Sequence, residues 1–283
     1  MSNINIYGRD IDMDYLTRSD TPIQEELWAQ IDKTVTQSAS SILTGRQFIP
    51  LFGPLGIGVN TVTIDDADTF KETATDGILT TVGRKFVELP TVYTDFTLYG
   101  RDIQNSLHLG YPIDLTKADS AAQQAAIRED TLIFFGNDAL EIEGLLTVAG
   151  SHTLKKSDWK IGENAFTDIS TAITMLIEKG IYGTYSLVLS SDLYLQLHRL
   201  QPGTGLLEVD RIKELLHKRV YSTPILGHNK AVLVTSDSSN IDLVVGQDLK
   251  TAYLEEVDLN HRFRILETIR LRIKRPQSIV VFE

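Results

Sequence analysis

The sequence predicts an α+β fold in which an outer frame, built from both ends of the chain, closes around an inserted block of alternating helices and strands. Three observations predict it. An amphipathic helix opens the first strongly patterned stretch. Two alternating segments, near residues 85–99 and 263–273, read as long strands. Between them the period switches repeatedly from helix to strand. The first and last segments are therefore expected to meet across a continuous middle domain.

Composition bounds what such a chain does. Its 283 residues, 42% hydrophobic and 23% charged, suffice for a substantial core. The net charge of −11 opposes coating of nucleic acid, which needs clustered Lys and Arg. There is no cysteine, which excludes disulfides, zinc–thiolate centres and cysteine nucleophiles and fits a cytoplasmic protein. Residues 1–20 are polar, with Asp10, Asp12, Asp14 and Asp20, and do not read as a signal peptide. No run reaches the roughly 18–20 apolar residues of a membrane helix.

The elements follow in order. Thr21-Pro22-Ile23-Gln24 reads as an N-cap, and Ile23, Leu27, Trp28, Ile31, Val35, Ala39, Ile42 and Leu43 recur at helical spacing, which predicts a helix over 22–43 stopped by Gly45. The glycine cluster Gly53-Pro54-Leu55-Gly56-Ile57-Gly58 lacks the Lys-Ser/Thr of a phosphate loop and no helical run follows it, so it reads as a tight turn leaving a strand. Residues 59–84 hold Asp65, Asp66, Asp68, Glu72 and Asp76 without calcium-loop spacing, and predict a solvated extended loop or hairpin. In the next strand Val92, Thr94, Phe96 and Leu98 share one face, with Pro90 near its start. A second long helix is expected over 117–135, capped by Thr116 with Asp119, rich in alanine and stopped by Gly136. The middle predicts a helix ending at Gly180, a buried strand at 186–190, helices near 191–200 and 208–219, and strands at 231–235 and 241–246. At the end, Phe263, Ile265, Glu267, Ile269, Leu271 and Ile273 alternate with the basic face of Arg264, Arg270, Arg272 and Lys274, which is expected to pair with carboxylates of the same or neighbouring subunits.

No catalytic constellation emerges. The histidines (His108, His152, His198, His217, His228 and His261) show no paired zinc spacing, there is no Gly-x-Ser-x-Gly elbow, and Glu141/Glu143 and Glu255/Glu256 are neighbours in sequence only. His198 reads as structural, on a helix face with Tyr194 and Leu197.

Several colinear stretches carry a resemblance. They are GRQFIPLFGPLGIGV (45–59), YTDFTLYGRDI (93–103) with PID (112–114), EDTLIFFG (129–136) with EGLL (143–146), YSLVLSSDLYLQLHRL (185–200) and RFRILETIRLRIKRPQSIVV (262–281). Together they resemble the family-one encapsulins, the linocin-type bacteriocin family, from about Leu16 to Phe282. The resemblance implies the tailed-phage major-capsid fold of the Hong Kong 97 type. It implies an N-terminal arm (1–21), a peripheral domain (22–56 with an inward helix, 91–136 with a spine helix, and 231–283), an extended E-loop (57–90) and an axial domain (137–230). An arm poor in apolar residues is expected to become ordered against a neighbour.

The resemblance also implies function. The chain is expected to be a structural protein and not an enzyme, a homo-oligomer that closes into an icosahedral shell. The shell would capture cargo enzymes, a ferritin-like protein or a dye-decolorising peroxidase, through a C-terminal targeting peptide. GPLGIGV, LHRL and RIKRP look most similar to iron-storing encapsulins, with iron reaching the particle only through cargo. The matching cargo-peptide positions are Ala39, Leu43, Arg46, Phe48, Ile241, Leu243 and Asp248; the alternative for Leu43, Phe48 and Leu243 is plain core. The fivefold pore loop would be Glu178, Lys179, Gly180, Ile181, Tyr182, Gly183 and Thr184. Some encapsulins stack a flavin on a Trp where this chain has Gly100, so no flavin is expected. A phage major capsid protein enclosing DNA shares the fold and is the alternative; a secreted bacteriocin or protease is disfavoured by the missing signal peptide and catalytic groups.

Overall fold

A computed structural model describes residues 15–19, 21–200 and 205–283, so most of the N-terminal arm expected over 1–21 lies outside the described residues, as do Asp10, Asp12, Asp14 and Asp20. Helix α1 (Glu25–Ser40) buries Leu27, Trp28, Ile31, Val35 and Ala39 along one stripe, as the spacing requires. It begins at Glu25 with Gln24 as cap. Thr21 does not cap it: its hydroxyl donates to the Arg18 carbonyl and accepts from Trp28 Nε1. Gly45 lies beyond the helix, where a Cβ would sit 2.5 Å from Ile133 Cδ1, so it marks a close chain approach and not a helix stop.

The short strand β1 (Leu51–Phe52) leads through the Gly53–Gly58 turn into a projecting arm. Strands β2 (Thr61–Asp65) and β5 (Arg84–Glu88) pair antiparallel at its base, and β3 (Lys71–Thr75) and β4 (Ile78–Val82) form its tip. Asp76 and Gly77, both at positive φ, make the two-residue turn that such a hairpin favours. The strand expected over 85–99 is thus two, since β6 (Thr91–Tyr99) starts only after Leu89-Pro90. Thr94, Phe96 and Leu98 of β6 are buried.

After α2 (Gly100–Leu109), the long helix α3 (Thr116–Phe135) lies under α1 and β6. Its N-terminus is served by Asp114, whose carboxylate accepts from Thr116 N at 2.8 Å; the expected Thr116–Asp119 cap is not formed, and Asp119 instead accepts from Ser38 Oγ. Ala118, Ala121, Ala122 and Ala125 are the small side chains that let α1, β6 and the last long strand close on it, around Trp28, Phe96 and Phe263.

The hairpin β7 (Gly136–Asn137) and β8 (Ile142–Glu143) leads to β9 (His152–Leu154), α4 (Asn164–Glu178), β10 (Tyr185–Ser190), α5 (Ser191–Gln196), α6 (Glu208–Leu215), β11 (Val220–Thr223) and β12 (Ala231–Thr235). The two helices expected over 191–200 and 208–219 are therefore shorter. Strands β13 (Ile241–Val245), β14 (Lys250–Val257), β15 (Asn260–Ile273) and β16 (Ile279–Phe282) complete the chain.

Among the described residues two five-stranded sheets result. In one, β15 pairs with β6 on one edge and with β13 and β14 on the other, and β1 adds parallel to β13. The segment 241–273 is thus one long hairpin, closed at Asp258-Leu259, both at positive φ, and interrupted between β13 and β14. The other sheet runs β11-β10-β12-β16-β9. Of the segment 231–283, β12 and β16 complete the sheet of the inserted block, while 241–273 pairs with β1 and β6 of the outer frame. One core, with Trp159, Leu187, Leu189 and Phe282, fills the block beneath α4, α5 and α6. Another, with Phe48, Phe134, Val232, Leu243 and Leu271, joins the block to the frame.

Candidate functional site

The break between β13 and β14 leaves a gap in the strand edge at 246–249, directly opposite the C-terminal end of α1. A cavity of about 760 Å³ opens there, lined by Thr36, Ala39 and Leu43 on one side and by Leu55, Asp248 and Leu249 on the other. Local sequence explains each wall. Ala39 and Leu43 are the last members of the α1 stripe. Gly53 has φ 133°, and a Cβ there would lie 2.2 Å from the Val245 carbonyl, so only glycine lets the 53–56 turn hug β13. That approach is fixed by Leu55 N and Gly56 N, which donate to the carbonyls of Val245 and Gly246.

The closed end of the groove is a buried ionic cluster. Arg46 donates through Nε and Nη2 to both Glu129 oxygens at 2.7 and 2.8 Å, through Nη2 to Glu267 at 2.7 Å, and through Nη1 to Asp248 at 2.7 Å. Glu129 and Glu267 are fully buried, whereas Asp248 is 57% exposed. Burial works against charge on Arg46, but its bond to Glu129 and the fields of Glu129 and Glu267 outweigh it and hold its pKa above the ordinary value. Burial, then repulsion by Glu129, pushes Glu267 well up, which favours a proton on it. Burial also works to raise Asp248, but Arg46 outweighs it and keeps Asp248 below the usual carboxylate range. Next to the cluster, burial pushes Asp130 up to about 6 while its carboxylate accepts from Thr44 N and Gly45 N, fixing the turn that presents Arg46. The groove therefore offers a mixed lining, apolar at Ala39, Leu43, Leu55 and Leu249 and polar at Thr36, Ser40, Gln247 and Lys250, with Arg46 and Asp248 at its end, an arrangement suited to a short extended segment.

Of the residues expected here, Ala39, Leu43, Arg46 and Asp248 come together on this groove. Phe48, Ile241 and Leu243 do not: they are at most 2% exposed and belong to the core between frame and block, as the plainer reading of Phe48 and Leu243 had it. Sequence reasoning missed Leu55 and Leu249, because the turn and the strand break meet only through long-range pairing.

The second expected site is the turn after α4. Gly180 at φ 74° ends the helix, donating to the Ile177 carbonyl, and Thr184 N donates to Asp237 Oδ2. Tyr182 is 70% exposed at the apex, with Glu178, Lys179, Gly180, Gly183 and Thr184 also exposed. Ile181 points the other way, into the core, and cannot line an opening. Gly100 begins α2, and a Cβ there would lie 2.0 Å from the Leu259 carbonyl, so this backbone admits no side chain at that position. His198 stacks edge-on against Tyr194 and its ring bonds the Tyr194 carbonyl, as a structural histidine would. Among the described residues no cluster of His, Asp and Glu suits a metal ion, and no helix is long and apolar enough to cross a membrane.

Comparison with known proteins bears on this architecture. A family model described as "encapsulating protein for peroxidase" matches residues 13–270. The chain is 39% identical over 277 residues to the type 1 encapsulin shell protein EncA of Myxococcus xanthus, covering 95% of this chain and 96% of that one. It is 35% identical over 271 residues to the diheme-cytochrome-encapsulin shell fusion protein of Kuenenia stuttgartiensis, covering 94% and 75%. In fold it matches the virus-like particle from Pyrococcus furiosus (TM-score 0.75, 21% identity, 91% and 100% covered) and the capsid of Myoviridae phage XM1 (TM-score 0.63, 13% identity, 85% and 91% covered). The fold is thus the phage-capsid fold expected from the sequence.

Proposed function

Because the chain belongs to the encapsulin shell-protein family, we propose that it assembles with copies of itself into a closed icosahedral compartment that captures a cargo enzyme. The observation that carries assembly is the arm. Ile78, Leu79 and Phe86 are 70%, 64% and 76% exposed on a hairpin that buries no residue from 57 to 88. Apolar side chains held out on a projecting ribbon gain by burial against another copy. Closed symmetry then leaves no such surface free.

The groove beside Arg46 is the receptor for the cargo's targeting peptide, with Ala39, Leu43, Arg46 and Asp248 as contacts and Leu55 and Leu249 completing the apolar wall. The turn around Tyr182 lines a pore that passes ions and small molecules to the cargo. A ferritin-like protein is the favoured cargo; a ferritin-like-encapsulin shell fusion protein of Pyrococcus furiosus is 27% identical over 56% of this chain, which supports that choice. We expect no bound flavin, since position 100 has no room for a stacking ring. The phage-capsid alternative draws on the shared fold, but the charge of −11 opposes a lumen lined for DNA.

Expression of the chain alone, followed by negative-stain microscopy and light scattering, tests assembly. Uniform hollow particles are expected, and a monodisperse monomer would overturn the shell. Co-expression with a ferritin-like protein, with and without its C-terminal peptide, then tests the groove. Cargo should co-purify only with the peptide, and Asp248→Lys should weaken its retention without dispersing the particles.

A further inference from the structure

The basic face of β15 has a use that its alternation alone did not reveal. Arg264 pairs with Asp95, Arg262 with Glu255, and Arg272 and Lys274 with Asp242, all carboxylates of the same chain. Arg270 is different. It is 7% exposed, forms no ion pair within 4.0 Å among the described residues, and leaves its Nε without a partner there. Its guanidinium bonds only backbone carbonyls: Nη1 donates to Glu88 O at 2.9 Å and Nη2 to Glu141 O at 3.4 Å. Glu88 ends β5, so this side chain grips the return strand of the arm where it joins the body.

The same face repeats the grip on the outgoing strand. Arg272 Nη1 donates to the Thr63 carbonyl of β2 at 3.1 Å, while its other nitrogens hold Asp242. The Lys274 carbonyl accepts from Ala67 N at 3.1 Å, and Arg275 pairs with Asp68 at 3.3 Å. The contacts at 270, 272, 274 and 275 thus touch both strands of the arm and the turn that follows β2. These contacts matter because, among the described residues, the other backbone bonds to the body lie at the two ends of the arm, where Leu55 N and Gly56 N donate to the carbonyls of Val245 and Gly246 and Ile269 N donates to the Pro90 carbonyl. β2 and β5 form a separate two-stranded sheet, with no ladder to β15. Leu89 N to Asn60 O only closes the arm's own base.

We propose that the stripe Arg270–Arg275, at the end of β15 and just beyond it, is the clasp that sets the direction of the arm, and so a determinant of how neighbouring copies are angled in the shell. The second half rests on the shell reading; the first does not. An arm that reaches a neighbour fixes the angle between two copies only if its own angle to the body is fixed. Side-chain bonds from a buried arginine to carbonyls supply that stiffness, because breaking them leaves polar groups unpaired away from water.

The test compares wild-type protein with Arg270→Met, which keeps much of the apolar stem and removes the donors. Hydrogen exchange should speed by about tenfold across residues 61–88, while 185–190 keeps its protection. The particles should lose their single diameter in light scattering. Unchanged exchange over 61–88 overturns the clasp. Accelerated exchange with particles of unchanged diameter overturns its role in setting the angle between copies. A wild-type chain that forms no particles overturns the shell reading alone, since exchange in the arm still compares the two proteins. If Arg270→Met does not fold, Asp68→Asn decides the clasp by the same readout, because Asp68 is half-exposed and its loss frees only Arg275.

Discussion

Strand β10 and the arm are both β-structure, yet they are stabilised in opposite ways. From Ser186 to Ser190 every residue of β10 is buried between two layers of apolar side chains. From 57 to 88 the arm buries none, although it carries Val62, Ile64, Phe70, Ile78, Leu79, Val82 and Phe86. The arm is thus richer in apolar side chains than its polar stretches suggested, and it exposes Phe70, Ile78, Leu79, Val82 and Phe86. Strand β10 completes its contacts within the chain, whereas the arm leaves its apolar side chains uncovered there. The difference teaches that the same pleated geometry serves folding in one place and, on the proposed assembly, association in the other.

The largest effect that sharpens this contrast lies in the block. Leu187→Ala should cost about 2–5 kcal/mol, because the cavity it leaves is enclosed on every side. Denaturant unfolding should show the loss in the chain's stability, and a shift below about 1 kcal/mol would mean that the block yields as easily as the arm.

A smaller effect separates the two regions by pH. In the body, burial raises Asp130 from 3.8 to about 6. The folded state then holds the proton more tightly than the unfolded chain, so this contribution is fully present below about 3.8 and is lost as pH rises through about 6. In the arm the sign reverses. The Arg84 hydrogen bond lowers Asp65, so the pair is intact above the ordinary carboxylate pKa and weakens as pH falls below it. Melting temperature measured from pH 7 to pH 4.5 should show an acid-side gain from this group that Asp130→Asn removes. Equal pH profiles for the two proteins would refute the assignment.

The smallest effect on folding belongs to the arm tip. Replacing Ile78 and Leu79 together by Ser should change the stability of the unassembled chain by no more than about 0.5 kcal/mol, since neither is buried. Particle yield should nonetheless collapse. A variant that assembles normally would show that the tip makes no contact between copies.

Much of the fold was legible. The α1 stripe, the alternation of β6 and the alanine face of α3 are local patterns, and they became helix, strand and close-packed helix where expected. Cap positions were less legible, because Thr21 bonds Arg18 and Trp28 instead and Thr116 gives way to Asp114. The groove was half legible. Ala39, Leu43, Arg46 and Asp248 reach it, but Phe48, Ile241 and Leu243 carry apolar spacing that reads the same for a groove and for a core.

By itself the sequence determined the class of α1, β6, α3, α4, β10 and β15, the pairing of an early with a late segment, and the family, because periodicity and colinear motifs are properties of the chain alone. Only the tertiary structure decided that β12 and β16 complete the inner sheet, that one arginine serves Glu129, Glu267 and Asp248 at once, and that Arg270 grips carbonyls and not a carboxylate. The reason is physical. Those outcomes depend on which groups lose water together, and residues separated by 83, 202 and 221 positions meet only when the whole chain has closed.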